Sequence, residues 1–300
     1  PNNEAQHVDV RTVDFCIARL NEKHEGGRPL FLAAGIFRPH MPFFAPPRYF
    51  AEYPIDQVVM PPVKEDDLDD VPAGGQRLLR SKKWFFEGMM KAEQQSPGTW
   101  RDAVRAYQAC ATFADAQIGR LIDALDASPY CDNTIVMLWS DHGYHLGEKR
   151  HWEKFALWEK TTHVPYIIVA PGVAKAGARC ESPVDLMSVY PTLVELCRLA
   201  PRHDLDGVSL VPLLRNPGAE WETPAVMTYQ RGNHAVRSQR WRYIRYADGS
   251  EELYDHHADP HEWNNLAEEP QHAGVIRDHR KWLPKRDAEQ VPDLKRKKAG

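Results

Sequence analysis

The chain has 300 residues, of which 42% are hydrophobic and 27% are charged, and its formal net charge is −4. This length and composition are typical of one large or two ordinary globular domains with a substantial core. The slight acidic excess gives no electrostatic footprint for nucleic acid, and no apolar run approaches the roughly 20 residues that a membrane helix needs. We therefore expect no nucleic-acid partner and no membrane span.

The five cysteines lie far apart in the sequence, and none has C-x-x-C spacing. They predict neither a zinc knuckle nor a dense disulfide framework. Cys16 and Cys110 fall in helical patterns and are predicted to be buried thiols. The chain begins at Pro1, without an initiator methionine or a signal peptide. We interpret it as a piece of a longer protein, so its start does not indicate a compartment.

The first predicted helix runs from Val10 to Leu20, and an apolar run over 29–35 then predicts a buried strand. His40 follows in a segment that its flanking prolines stiffen, where a turn histidine without a function is the alternative to a site residue. Residues 43–99 show little periodicity and predict an excursion loop. The acidic run over 65–70 lacks the ligand spacing of a calcium-binding loop, and we interpret it as solvated surface.

The strongest helical signal begins at Thr99 and continues to Leu125, with an apolar stripe at intervals of three and four residues. Thr99 and Asp102 have capping-box spacing. Residues 134–139 are β-branched or apolar and uncharged, which predicts a strand buried on both faces. A helix followed by such a strand is typical of a βαβ unit. We therefore expect an α/β fold with a mainly parallel sheet flanked by helices.

A carboxylate and an imidazole, Asp141 and His142, follow that strand at the edge where open α/β sheets bind their ligands. Gly143 is expected to let the backbone turn so that both side chains face one point. Such a pair can bind a divalent cation; the hard oxygen favours Ca²⁺ or Mg²⁺, and the imidazole leaves Zn²⁺ or Mn²⁺ open. A surface turn with a bystander histidine is the alternative for this tripeptide alone.

The second half of the chain predicts a buried strand over 164–170 and a helix over 182–196 that Pro191 should kink or break. From about Ala225 the pattern changes to short strands separated by turns, with Asp248-Gly249 as a hairpin signal. We expect three regions, which are an α/β part over 1–222, a small antiparallel β subdomain with a terminal helix over 223–283, and a loose tail over 284–300.

Several motifs combine into a family pattern: Phe31–Gly35 leading to Arg38–Phe43, Ala106–Arg120, Trp139–Glu148, Thr162–Pro165, Ser182–Leu186, Leu253–Asp255 and Asp259–Leu266. Their order resembles the type I sulfatases of the alkaline-phosphatase-like superfamily, and within them the iduronate-2-sulfatase-like branch. The resemblance covers nearly all of residues 10–285. It implies an alkaline-phosphatase-like α/β fold and hydrolysis of sulfuric esters, with sulfated sugars or small sulfate esters as the substrate class.

The resemblance also implies roles for single residues. Asp141 and His142 would ligate one divalent metal, normally Ca²⁺ in this family, with Mg²⁺ also possible. His40 and Lys154 would contact the sulfate group. A cation and a lysine neutralise charge on the sulfuryl oxygens, and a histidine can protonate the departing alkoxide or position the nucleophile. Lys149-Arg150 departs from the His-Gly or His-Asn that is common at this point of the family motif.

Family members carry a formylglycine nucleophile, made from Cys or Ser, in a C/S-x-P-x-R motif that this sequence lacks. The paired aspartates that complete the family's metal shell also have no counterpart. We interpret the chain as the carboxyl-terminal portion of a sulfatase, which needs the amino-terminal part of the same protein to complete its site. Alone, it is expected to hydrolyse nothing and to bind Ca²⁺ weakly. By resemblance, the location would be periplasmic, secreted or lysosomal-like.

Two alternatives remain open at this point. A phosphoric ester or phosphonate hydrolase of the same superfamily would share the Asp-His metal pair. A non-catalytic sulfatase homologue would keep the fold without ever having had a nucleophile.

Overall fold

A computed structural model describes residues 4–22, 27–80, 83–289 and 291. The chain forms two compact units: unit 1 contains Pro1–Pro61 and Glu87–Ile135, and unit 2 contains Pro62–Phe86 and Val136–Gly300. The subdomain predicted over 223–283 stays a prediction, since these units group the chain differently. Of the tail predicted over 284–300, only 284–289 and 291 belong to the described residues.

The helices are α1 (Val8–Leu20), α2 (Pro47–Ala51), α3 (Ala73–Arg80), α4 (Lys83–Gln95), α5 (Thr99–Asp126), α6 (Glu159–Thr162), α7 (Val189–Leu196), α8 (Val211–Arg215) and α9 (Ala273–Arg280). Short 3₁₀ turns occupy Glu4–Gln6, Ile55–Gln57, Glu148–Arg150, Leu186–Ser188 and Pro270–His272. The strands are β1 (Val136–Trp139), β2 (His145–Leu146), β3 (Trp152–Glu153), β4 (Tyr166–Val169), β5 (Ala225–Thr228), β6 (His234–Arg237), β7 (Trp241–Arg245) and β8 (Glu251–Asp255). Among the described residues, no helix combines the length and the apolarity that crossing a membrane requires.

Unit 1 is helical, and its core forms where α1 and α2 pack on the long helix α5. Phe113 on α5 is buried together with Val10 and Tyr49. Cys16 and Cys110 are buried free thiols, as predicted. Burial raises the pKa of the Cys110 thiol to about 11, so this cysteine stays protonated and acts as a small apolar side chain.

The start of α5 differs from the predicted capping box. Gly98 is the N-cap residue, and no side chain of the predicted pair caps the helix. Glu93 does so instead, because its carboxylate accepts hydrogen bonds from the backbone N–H groups of Gly98 at 3.0 Å and Trp100 at 2.8 Å. These bonds lower the pKa of Glu93. The acceptor comes from the preceding helix α4, which a spacing rule within α5 does not detect.

Two predictions for the first hundred residues are wrong. Residues 29–35 form no β ladder with any described residue, and the Phe31 side chain is 82% exposed. An apolar run predicts burial, but a strand also needs a neighbour for its backbone N–H and C=O groups. Residues 43–99, predicted to be an excursion loop, contain α2, α3 and α4.

In unit 2, β1 and β4 lie side by side but run antiparallel, with Val136 opposite Val169 and Trp139 opposite Tyr166. All strand pairs within the described ranges are antiparallel, so the predicted parallel order is not found there. Uncharged runs indicate buried strands but carry no information about strand direction. One face of this pair is open, since Ile167 is 57% and Val169 is 52% exposed.

The small antiparallel sheet predicted after Ala225 is confirmed, with strand order β5-β6-β7-β8. The predicted hairpin joins β7 to β8, and Gly249 adopts a positive φ of 87° there. Because strand side chains alternate between faces, the sheet contributes to two cores. Ala235, Ile244 and Tyr254 face α3 and the 156–158 segment, whereas Val236, Tyr243 and Leu253 face Ile276 on α9.

The predicted break near Pro191 takes the form of two pieces, the 3₁₀ turn Leu186–Ser188 and the helix α7. Pro191 lies in the first turn of α7, where its missing N–H costs no helical hydrogen bond. The Asp185 carboxylate accepts a hydrogen bond from the backbone N–H of Met187 at 3.2 Å at the start of the 3₁₀ turn.

Candidate active site

Asp141 and His142 follow β1 in unit 2. The His142 Nδ1 atom lies 2.7 Å from the Gly143 carbonyl oxygen. Because a carbonyl oxygen only accepts hydrogen bonds, Nδ1 carries the proton, and Nε2 of the neutral ring keeps a lone pair. That Nε2 atom is 3.6 Å from Asp141 Oδ2. This separation suits neighbouring ligands of one ion with bonds of about 2.3–2.6 Å. The pair fits a divalent cation, and the Asp141 side chain, 85% exposed, faces solvent where further ligands can approach.

Gly143 is needed for a reason that differs from the predicted one. Its φ angle is not in the left-handed region, so conformational freedom is not the requirement. A Cβ atom at this position would lie 2.1 Å from the Lys160 carbonyl oxygen. The backbone N–H groups of Gly143 and Tyr144 donate to the carbonyl oxygens of Thr161 and Lys160, both at 2.8 Å. Glycine at position 143 therefore allows the loop with Asp141 and His142 to pack directly on the backbone of α6.

Lys154 lies at the end of the short hairpin that follows the Asp-His pair. Strand β2 pairs with β3 so that His145 is opposite Glu153. Lys154 directly follows Glu153, and Tyr144, two residues from His142, directly precedes His145. The structure thus brings Asp141, His142 and Lys154 into one continuous loop and hairpin. Lys154 is half-buried.

His40 lies in unit 1, in a loop that buried polar groups hold. The Asp9 carboxylate is fully buried and accepts the Arg38 backbone N–H at 3.1 Å. The Arg38 guanidinium in turn donates to the carbonyl oxygens of His40 and Phe44, both at 2.7 Å. The exposed His40 ring places Nδ1 2.5 Å from the Met41 carbonyl oxygen, so Nε2 is the nitrogen that can accept or release a proton. Convergence of His40 with the three residues of unit 2 stays a prediction.

A second carboxylate and imidazole cluster in unit 2 contains Glu159, His256 and Glu262, whose ligand atoms lie within 4.8 Å of one another. Its oxygens are already engaged. Glu262 Oε1 pairs with Arg242 Nε at 2.6 Å and accepts from His256 at 3.0 Å, and Oε2 accepts the Glu159 N–H at 2.9 Å. Arg242 also contacts Glu159 Oε2, to which Arg237 donates at 3.2 Å. Two carboxylates face two guanidinium groups, so a metal ion would add uncompensated charge.

The pKa shifts in this cluster support a network of ionised pairs. Burial would raise the pKa of Glu159, but the hydrogen bond with His163 and the charges of Arg242 and Arg237 outweigh burial and hold the pKa far below its usual value. For Glu262, burial is likewise outweighed, by Arg242 and then His256. Both carboxylates are therefore ionised at neutral pH. The network fixes α6, which begins at Glu159, to strand β7.

The acidic run 65–70 is solvated as predicted at Glu65, Asp66, Asp69 and Asp70, but Asp67 is buried in an ion pair. Asp67 and Lys149 are both buried, and Lys149 Nζ lies 2.8 Å from Asp67 Oδ1. The ammonium group also lies 4.9 Å from the ring centroid of Tyr254 and 5.6 Å from that of Trp158. Burial raises the pKa of Asp67 in spite of the neighbouring lysine. Lys149, where the sequence departs from the family motif, is thus a buried anchor of the hairpin.

Two buried histidines near Lys154 were missed by the sequence reasoning. His145 and His151 are both buried, and their rings meet edge to face at 5.3 Å. Burial lowers the pKa of both rings, for His145 to well below 6.5. His151 Nε2 lies 2.5 Å from the Lys154 carbonyl oxygen. Their position between His142 and Lys154 was the one available signal, since histidine identity alone does not predict burial.

Comparison with known proteins adds to this geometry. Residues 2–199 match the family model described as Sulfatase, and residues 147–289 match the model described as N-sulphoglucosamine sulphohydrolase, C-terminal. A sulfatase from Formosa agariphila is 38% identical over 293 residues, which are 96% of this chain and 55% of that protein. A Delta 4,5-hexuronate-2-O-sulfatase from Bacteroides thetaiotaomicron is 26% identical over 308 residues, covering 94% of this chain and 61% of the relative. The chain spans little more than half the length of these relatives.

The phosphonate monoester hydrolase from Silicibacter pomeroyi superposes with a TM-score of 0.79 over 94% of this chain and 60% of that chain, at 24% identity. This likeness confirms the predicted class, an α/β protein with an alkaline-phosphatase-like fold. The match to the Sulfatase model over more than half of the sequence, together with the 38% identity, shows that the chain belongs to the sulfatase family. Sulfatases are in general metal-dependent hydrolases.

Proposed function

We propose that this chain is the carboxyl-terminal part of a sulfuric ester hydrolase that uses one Ca²⁺ ion, or Mg²⁺ in its place, bound in part by Asp141 and His142. The observation that carries the proposal is the orientation of the pair. The proton on His142 Nδ1 leaves Nε2 as a ligand, 3.6 Å from a carboxylate oxygen of Asp141. A metal bound there would neutralise charge on the sulfuryl oxygens of the substrate.

The other two residues of the proposed site would act on the same sulfate group. The Lys154 ammonium binds a sulfuryl oxygen and stabilises the charge that develops there in the transition state. His40 holds its ring through Nδ1, so Nε2 can donate a proton to the departing alkoxide or position the nucleophile.

The nucleophile, a formylglycine made from Cys or Ser, is proposed to come from sequence that precedes this chain. Two observations support this. The chain covers only 55% of the Formosa agariphila relative, and the open face of the β1–β4 pair exposes Ile167 and Val169. Apolar side chains exposed side by side on a sheet are the expected packing surface for a further segment of the same protein.

A sulfated carbohydrate, or a similar alkyl sulfate, is the proposed substrate class, since the Bacteroides thetaiotaomicron relative is a hexuronate-2-O-sulfatase. Family resemblance favours a periplasmic, secreted or lysosomal-like location.

The test compares turnover of 4-nitrophenyl sulfate, 4-nitrophenyl phosphate and a 4-nitrophenyl phosphonate by the full-length protein that contains this chain. Preference for the sulfate and loss of turnover with EDTA are expected. The 300 residues alone should hydrolyse nothing, and EDTA-sensitive turnover by them would contradict the need for upstream sequence.

A phosphoric ester or phosphonate hydrolase is the second candidate, favoured by the fold shared with the Silicibacter pomeroyi enzyme. Faster turnover of the phosphate or phosphonate in the same assay would support it. No turnover of any of the three substrates by a correctly folded full-length protein would favour a non-catalytic homologue.

A further inference from the structure

We propose that His151 is a positioning residue for Lys154: it fixes the turn from which this lysine projects, through a hydrogen bond to the Lys154 carbonyl oxygen. The catalytic importance of Lys154 in this inference rests on the proposed function. The statement that His151 fixes the turn around Lys154 does not depend on that function. His151 is not among the residues to which the family resemblance assigned a role.

The backbone around Lys154 is strained. The residues on either side of it, Glu153 and Phe155, have φ angles of 85° and 70°, in the left-handed region that non-glycine residues rarely adopt. Such a conformation is energetically costly and persists only where its surroundings enforce it. The turn that carries Lys154 would therefore relax unless specific contacts hold it.

His151 supplies such a contact from a rigid position. Its ring is buried, and Nε2 lies 2.5 Å from the Lys154 carbonyl oxygen. Because the carbonyl oxygen is an acceptor only, Nε2 must carry a proton and the neutral ring donates it. Burial keeps the ring neutral at pH 7 by lowering its pKa. The bond spans three residues and closes the segment that contains the strained Glu153.

Neighbouring side chains hold the His151 ring in place. His145 on β2 packs against it edge to face at 5.3 Å, and Trp158 packs on His145 at 6.1 Å. Trp158 is itself fixed, because its Nε1 donates to the buried Glu252 carboxylate on β8 at 2.7 Å. A chain of packed rings thus connects the Lys154 turn to the four-stranded sheet.

The consequence for chemistry follows from the geometry that transition-state contacts need. A displacement of about 1 Å of a group that contacts the reacting centre can lower the rate roughly 100-fold. Loss of the His151 bond lets the turn relax and moves the Lys154 ammonium, even though His151 itself does not contact substrate.

The kinetic test uses His151→Gln, His151→Leu and His151→Asn in the full-length protein. The Gln amide nitrogen can replace Nε2 as donor, Leu removes the donor, and Asn is polar but too short to reach the carbonyl. We expect H151Q to retain kcat within about threefold, and H151L and H151N to lower kcat by at least about tenfold while KM changes less. The matched control is His279→Leu, since buried His279 likewise bonds a carbonyl oxygen, that of Val275, at 2.8 Å. H279L should lower stability without this loss of kcat.

A second measurement does not depend on sulfatase activity. The acetylation rate of Lys154 by acetic anhydride, read by peptide mass spectrometry, should change at least about twofold in H151L and H151N but not in H151Q or H279L, with exposed Lys160 as the internal reference. If the wild type hydrolyses no sulfate, the proposed function fails and this labelling alone decides the inference. Equal Lys154 reactivity in wild type, H151L and H151N, or equal kcat in an active enzyme, would overturn it.

Discussion

Unit 2 contains two clusters of carboxylate and imidazole side chains, and the two differ in solvent exposure and in charge compensation. The Asp141 carboxylate is exposed and pairs with no arginine or lysine in the described part of the chain, whereas Glu159 and Glu262 form ion pairs with Arg237 and Arg242. The first pair keeps ligand atoms available for a cation. In the second group, the two arginines already balance the charges of the two carboxylates.

This difference shows that closeness of ligand-type residues is a poor criterion for a metal site. What decides is whether the oxygens and nitrogens are still available and whether the local charge is uncompensated. By that criterion, Asp141 and His142 are better suited to bind a metal ion. The cluster of Glu159, His256 and Glu262 is instead a structural network that holds α6 to β7. The predictions below test this contrast.

The largest effect is expected for Arg242→Met. Removing the guanidinium leaves the carboxylates of Glu159 and Glu262 buried without their principal counter-charge, which should lower the free energy of unfolding by about 3–5 kcal/mol. Urea denaturation measures the loss. Arg245→Met, on the same strand but exposed, should stay within about 0.5 kcal/mol. If R242M lost no more unfolding free energy than R245M, the ion pairs of Arg242 would not be what holds α6 to β7.

The next largest effect is expected for Asp141→Asn in the full-length protein. Loss of a ligand charge should weaken Ca²⁺ binding and lower turnover by at least about 100-fold, because losing even an outer-shell partner costs roughly 10–100-fold. Calcium titration and the sulfate assay measure both effects. Asp204→Asn changes another exposed aspartate of unit 2, paired with Arg202, and should change neither. If D141N bound calcium normally while R242M did not, the two clusters would have exchanged roles.

A smaller effect is expected when the pH is lowered. Burial lowers the pKa of His145 and His151 below their usual value of 6.5 in the folded protein, so the unfolded chain binds more protons below that pH. Their contribution to stability is complete above about pH 6.5 and is lost as the pH falls, by at most about 1.4 kcal/mol per pH unit for each histidine.

Urea denaturation between pH 7.5 and 5 measures this slope. His151→Gln removes one of these two histidines and should make the slope shallower. An identical slope in wild type and H151Q would mean that folding does not lower the pKa of His151, in conflict with its burial.

The smallest effect is expected for His163→Asn. Its hydrogen bond to Glu159, at 3.3 Å, raises the pKa of His163, but the side chain is 75% exposed. Such a pair contributes about 0.2–1 kcal/mol, present below pH 6.5 and lost as the pH rises through the raised pKa. Thermal unfolding at pH 6 and pH 8 measures it. A loss comparable to that of R242M would show that exposed members of the network matter as much as buried ones.

Sequence reasoning located what short-range patterns encode. Helix α5, the strands after Ala225 and the loop with Asp141 and His142 each follow from periodicity, turn residues or a local motif. It failed where the partner lies far away in the chain. The Asp67–Lys149 pair joins residues 82 positions apart, and neither position carries a local signal of burial.

Strand direction was also out of reach, because the apolar runs of β1 and β4 are the same whether the strands run parallel or antiparallel. For the site, the motif pointed to Asp141 and His142, whose role as metal ligands stays a prediction, but it did not point to the ion pairs that hold α6. Arg242 lies outside the family motifs, and Glu262 lies within one of them without an assigned role. Only tertiary packing brings these two residues together beneath α6.

The close packing of Gly143 on Lys160 has a consequence for protein engineering. The loop with Asp141 and His142 packs on α6, and α6 is held by an arginine of β7, so the predicted boundary near residue 222 is not a neutral place to join halves of different family members. A chimera spliced there would import a foreign strand β7 under a native loop. Only donors that supply an arginine at position 242 together with a glutamate at 262 would be compatible with the recipient.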